Sequence, residues 1–194
     1  MQLIPDADLD ALDLVGEDLS GQDGTRARLL ECRLTDCVLD EVRLGHARVL
    51  DTTFTDVRAS RIDAAGSTWR DVTWTRGRIG AFSLRGAEVT RLTLTATKVD
   101  FLDLREAKVR ELRLSGLVIR DLDLSHSQVV TLVTEKARLD RLDLTTAHLR
   151  DADLRGADLA VIDGVDGLAG ATVSAEQLVG LAPLLASHLR ITVD

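Results

Sequence analysis

Hydrophobic and polar positions in this chain repeat every five residues. Stepping by five from Leu9 to Leu159 visits 31 positions, and 27 of them are Leu, Val, Ile, Phe or Trp. The exceptions are Gly24, Ala59, Ala64 and Thr134. The position two residues earlier is also mostly apolar or small, as at Ala7, Leu12, Ala27, Cys32, Cys37 and Val42. The three remaining positions are mainly Asp, Arg, Thr, Ser and Gly. Neither a helix of period 3.6 nor a strand of period 2 produces two inward and three outward residues in every five. A short extended unit that points two side chains inward and then turns a corner does produce it. The frame never slips between Leu9 and Leu159, so no inserted loop is expected there.

A second period lies inside the first. Residues 7, 27, 47, 67, 87, 107, 127 and 147 are all Ala or Ser. Residues 42, 62, 82, 102, 122, 142 and 162 are Val, Ile, Phe or Leu. A repeat of twenty means four five-residue sides per coil, one with small inward residues and the adjoining one with large ones. Leu84, Leu94, Leu104, Leu114 and Leu124 should stack in the axial core, with Trp69 and Trp74 among them. Ala59 and Ala64 fall two sides earlier, where small residues facing the indoles keep the packing density even. About eight coils rising about 4.8 Å each would make a rod roughly 38 Å long.

Stretches such as ADLRGADLAV and LDLTTAHLRDADLRG resemble the pentapeptide-repeat family, whose unit is roughly A(D/N)LXX. The resemblance spans about residues 4 to 173. It implies an all-β, right-handed quadrilateral β-helix, with residues 1–173 in the solenoid and residues 174–194 in a helical C-terminal cap.

The C-terminal pattern is helical. After Leu159 the frame weakens at Gly164 and shifts by one to Leu168 and Val173. Ser174 and Gln177 form a capping-box pair. Leu178, Leu181, Leu184, Leu185 and Leu189 share one face at helical spacing. Pro183 is expected to divide this run into two short helices. Ile191 and Val193 exceed what a cap needs, and by resemblance the segment is also a candidate homodimer contact.

Composition narrows the function classes. Acidic residues number 32 against 24 basic ones, a net charge of −8, which disfavours bulk binding to nucleic acid or to an anionic membrane. Two cysteines without a second pair make no zinc site. No nucleophile–base constellation, phosphate loop or metal-ligand cluster stands out, and a loop-free solenoid offers no catalytic pocket. The expectations are therefore no enzyme activity, no cofactor and no metal, in a cytoplasmic protein with no spanning segment.

The charge is unevenly placed. The side with large inward residues carries a column of Asp63, Asp103, Asp123, Asp143 and Asp163, with Asp23 further down and Arg43 and Ser83 interrupting. Two readings of this column stand side by side: turn stabilisation through backbone N–H groups, and an acidic strip that binds a partner. The family's gyrase-protecting members are thought to mimic the acidic rod of DNA. By that resemblance the chain is expected to bind a type II topoisomerase, DNA gyrase, as a partial DNA mimic and to protect it from inhibitors. The alternative is a repeat scaffold with another protein partner. Charges about 4.8 Å apart copy one strand of DNA locally, where phosphates lie about 3.4 Å apart, so the mimicry is partial. The opposite side stacks Thr35, Thr55, Thr75, Thr95 and Ser115, ordinary β-surface chemistry.

Overall fold

The computed structural model describes residues 2–192. Val193 lies outside the described residues. The chain winds as a parallel β-solenoid of about eight turns. Successive coils pair with a register of twenty residues: Asp8 lies beside Arg28, Val49 beside Trp69, and Leu142 beside Ile162. Four five-residue sides per coil follow directly from that register. We number the sides by their central residues, the first from Leu9, the second from Leu14, the third from Leu19 and the fourth from Gly24.

The axial residues fill the interior. Leu84, Leu94, Leu104, Leu114 and Leu124 are buried, as are both tryptophans. Four aromatic rings cluster near mid-rod. Phe54 stacks one coil from Trp74 at 4.4 Å between centroids, and Trp69 meets Phe82 edge-on at 5.2 Å. Ala59 and Ala64 are buried in the same core. The Trp69 Nε1–H donates to Ser67 Oγ at 2.7 Å, and that hydroxyl donates in turn to the Ala64 carbonyl.

Each exception to the repeat has a local cause. Gly24 leaves room for Leu3, whose side chain plugs the open N-terminal end. A Cβ on Gly24 would sit 2.8 Å from the Leu3 side chain. Gln22, a polar residue in the column of large inward side chains, accepts the Leu3 backbone N–H through its Oε1. Thr134 is buried on the axis and donates its hydroxyl to the Asp153 carbonyl at 3.0 Å, so its polar atom is satisfied.

The corners are of two kinds. Glu31, Glu41, Asp56 and His126 are among the corner residues with φ between 53° and 58°, the left-handed region. In the early coils all four corners turn this way. From Arg61 onward the corner after the third side does not, and from Arg91 the corner after the first side does not. Among the residues at those corners are Phe101, Thr131 and Val161, bulky or β-branched side chains for which positive φ is an outlier. Strands run through these bends, and through the left-handed corners at Asp56, Arg76 and Ala96 as well, in Thr53–Asp63, Val72–Ser83 and Leu92–Asp103.

The C-terminal end closes the rod. A short 3-10 turn at Val165–Leu168 precedes a strand at Ala171–Thr172, which pairs Ala152 with Ala171. That register is nineteen, not twenty, which places the one-residue frame shift in the last coil. Helix α1 (Ala175–His188) follows, opened by a complete capping box between Ser174 and Gln177. It is one helix, not the two expected from Pro183, which lies inside it. The carbonyl that proline cannot bond belongs to Val179, a residue on the exposed side of the helix. Among the described residues no helix is long and apolar enough to cross a membrane.

Candidate functional site

The outer surface of the fourth side carries the aspartate column at a strand-like repeat. Asp103 pairs in register with Asp123 across one coil step, Asp123 with Asp143, and Asp143 with Asp163. Most of these carboxylates are tied to their own turns. Asp63, Asp103, Asp123 and Asp143 each accept the backbone N–H two residues on, at Ala65, Arg105, Ser125 and Thr145, with distances from 2.8 to 3.3 Å. Asp23 does the same with Thr25. This is the Asx geometry that shapes a turn without using an outside partner. Asp18 and Asp153 repeat it on other sides.

Asp103 is the most buried of the column, with its side chain only 4% exposed. Arg105 clamps it in a two-pronged pair, Nε to Oδ1 at 2.8 Å and Nη2 to Oδ2 at 2.7 Å. Burial alone would raise this carboxyl. The Arg105 hydrogen bonds and charge, with help from Ser83, outweigh burial and hold it below the ordinary range. Arg105 also reaches Asp123 at 3.5 Å. Asp163 pairs with Arg141 at 2.7 Å.

Asp121, at the neighbouring corner, has its carboxyl raised first by burial and then, against the pull of Arg141, by the charges of Asp123, Asp143 and Asp163. Asp103 serves the fold; of the carboxylates beyond it, the Asp123 side chain is 16% exposed beside Arg105, and that of Asp163, paired with Arg141, is 40% exposed.

The other predicted surfaces fall as follows. Thr53, Thr73 and Thr93 stand in register on the second side, beside Thr55, Thr75 and Thr95. On the third side Arg138 pairs with Asp140 at 2.7 Å, and Asp100 is shared by Arg78 at 3.3 Å and Arg120 at 3.7 Å. His188, isolated in the sequence, meets Asp166 at 2.9 Å. Cys32 and Cys37 are buried free thiols, and burial pushes both up from the usual thiol range.

The terminal helix presents a divided apolar face. Leu181 is buried against the last coil, and Leu184 and Leu185 are half-buried. Leu178 and Leu189 point to solvent, and Ile191 beyond the helix is also exposed. A groove of about 700 Å³ runs between the helix and the last coil, lined by Ala157, Leu159, Val161, Gly180 and Leu184 among others.

The five-residue units match the profile described as pentapeptide repeats, in eight copies over residues 6–40 and 135–160. Those two stretches carry pentapeptide repeats. Among solved structures it is similar to QnrB1, a plasmid-mediated fluoroquinolone resistance protein, with 16% identity and a TM-score of 0.43 over 92% of this chain and 99% of that one. It is also similar to HetL, a pentapeptide-repeat protein involved in heterocyst differentiation regulation from the cyanobacterium Nostoc sp. strain PCC 7120. There the identity is 19% and the TM-score 0.32, over 87% of this chain and 90% of that one. No curated protein sequence matches it significantly.

Proposed function

We propose that this pentapeptide-repeat protein is a non-catalytic interaction rod whose acidic fourth side docks on the DNA-binding groove of a type II topoisomerase, DNA gyrase. The observation that carries this reading is the in-register column Asp123, Asp143 and Asp163, one carboxylate per coil. A basic groove shaped for duplex DNA is complementary to a rigid rod carrying such a column. Occupying that groove would keep drug-trapped DNA complexes from forming, which is how such binding protects from inhibitors.

A rod of about 38 Å covers little of a DNA groove, and a two-fold pair doubles it. The exposed Leu178, Leu189 and Ile191 supply the apolar surface for a second copy at the C-terminal end.

The second reading is a scaffold for a different protein. It is favoured by Asp103, whose neutralised and buried carboxylate leaves the strip only three coils long. Gyrase supercoiling with and without a fluoroquinolone separates the two. On the first reading the protein inhibits supercoiling or rescues it from the drug, and Asp123→Lys with Asp143→Lys abolishes the effect. A folded sample without either effect removes gyrase and leaves the scaffold. Solution mass, with Leu178→Asp and Leu189→Asp as the disrupting pair, tests the second copy.

A further inference from the structure

The bend between the third and fourth sides holds a cationic trough on an otherwise acidic rod. Arg61, Ala81 and Phe101 stand in register on three successive coils of this extended corner. The coil carrying Ala81 is small on its outer face, with Gly80, Ala81 and Ser83 in sequence. Gly80 is required there, since a Cβ would lie 2.3 Å from the Ser60 carbonyl oxygen. The result is a hollow of about 460 Å³, walled by Arg61 on one coil and by Phe101 and Arg105 on another, with Arg85 at its side. Asp63 and Asp103 also line it, Asp103 clamped by Arg105 and Arg85 paired with Glu106, so among the described residues its free cation is Arg61. Beside it on the third side, Arg58, Arg78 and Lys98 stack in one column.

The pairing pattern around this hollow is unusual. The chain has a surplus of carboxylates, 32 against 24 basic groups. Yet among the described residues the side chains of Arg58, Arg61 and Lys98 have no ion-pair or hydrogen-bond partner. Acids on the same sides are engaged elsewhere: Asp40 accepts the Ser60 N–H at 2.6 Å, Asp63 the Ala65 N–H at 3.3 Å, and Asp100 is held by Arg78 and Arg120. Stacking like charges in register destabilises a sheet, so nothing in folding favours Arg58 over Arg78 over Lys98.

We propose that this trough is a second docking surface, for an extended acidic peptide segment of a protein partner. Carboxylates at alternate residues, about 6.7 Å apart, would reach the rim cations, and an apolar or aromatic side chain would pack on Phe101 over the small floor. The segment must be short. A long polyanion such as duplex DNA would run on into the field of Asp123 and Asp143. The proposal rests on the interaction-rod reading but not on gyrase.

The test is a titration of the full chain into a fluorescein-labelled, glutamate-rich peptide with one central tryptophan, read by anisotropy. Binding is expected at low salt, fading as salt shortens the screening length. Arg58→Glu with Arg61→Glu should weaken it about tenfold, two exposed charge contacts' worth. The glutamine version of the peptide should not bind. Asp123→Lys with Asp143→Lys, which tests the acidic strip, should leave peptide binding intact or tighter, so the two surfaces fail independently. Equal binding to the glutamine peptide, no loss in the Arg58/Arg61 variant, or displacement of the peptide by duplex DNA would each overturn the proposal. Far-UV circular dichroism of the double variant separates lost binding from lost fold.

Discussion

Leu3 and Gly24 share one place in the core: the Leu3 side chain occupies the axial position that Gly24, alone among the 31 axial residues, leaves without a side chain. The plug closes the open end of the solenoid, where core residues would otherwise face water. Restoring the repeat should therefore harm the protein. Gly24→Leu is expected to destabilise by about 1–3 kcal/mol, through expulsion of Leu3 or overpacking. Adding Leu3→Ala to that variant should recover part of the loss. Denaturant melts of the two variants check this, and a stabilised Gly24→Leu would contradict the plug.

Asp103 and Arg105 make a pair with one partner buried and the other about 39% exposed. Asp103→Ala removes the clamp and the turn bond to Arg105, and we expect a loss of about 1–3 kcal/mol. The pair also sets a pH dependence. The Asp103 carboxyl is lowered in the folded state, so its stabilisation is fully present above the unfolded value of about 3.9 and is lost as pH falls through the lower folded value. Asp153, held at about 2 by Arg155 and its backbone N–H, follows the same sign. Thermal melts should hold level down to about pH 4 and fall below it. Asp103→Ala should flatten the Asp103 share of that fall.

Corner residues with positive φ give a further test. Ala96 has φ of 50°, in a region that costs an alanine about 1–2 kcal/mol and a glycine almost nothing. Ala96→Gly should raise stability by roughly 0.5 kcal/mol after the extra unfolded-state entropy of glycine is subtracted. The converse, Gly116→Ala at φ 58°, should cost about 1 kcal/mol although open space surrounds it. Equal melting temperatures for the two variants would contradict this account.

Gln177 is more than a capping residue. Its Oε1 accepts the Ser174 N–H at 2.7 Å, and its Nε2 donates to the carbonyls of Leu154 at 2.6 Å and Ala157 at 2.7 Å. Glutamate suits a capping box as well as glutamine does, but it has no N–H for those carbonyls. Gln177→Glu should therefore loosen the helix from the last coil, seen as faster amide exchange over α1 with the solenoid amides unchanged. Unchanged exchange would leave capping as its only role.

The five-residue and twenty-residue periods determined the fold by themselves. They reflect which side chains must leave water in each coil, and that demand is written at every position from Leu9 to Leu159. The frame shift after Leu159 was equally legible, and it reappears as the register of nineteen between Ala152 and Ala171. The aspartate column was legible as a column, because residues twenty apart must stack. Its state was not. Whether a carboxylate faces solvent or its own turn depends on neighbours one coil away, and only packing decided that Asp103 is buried under Arg105. The same holds for Pro183, which α1 accommodates one turn after the exposed Val179. Leu3 could not be assigned, because a plug at an open end obeys no repeat. The cationic trough arises where the bend straightens and three unlike residues, Arg61, Ala81 and Phe101, come into line. Sequence fixes what each residue prefers, while tertiary contact fixes which of those preferences are left unmet.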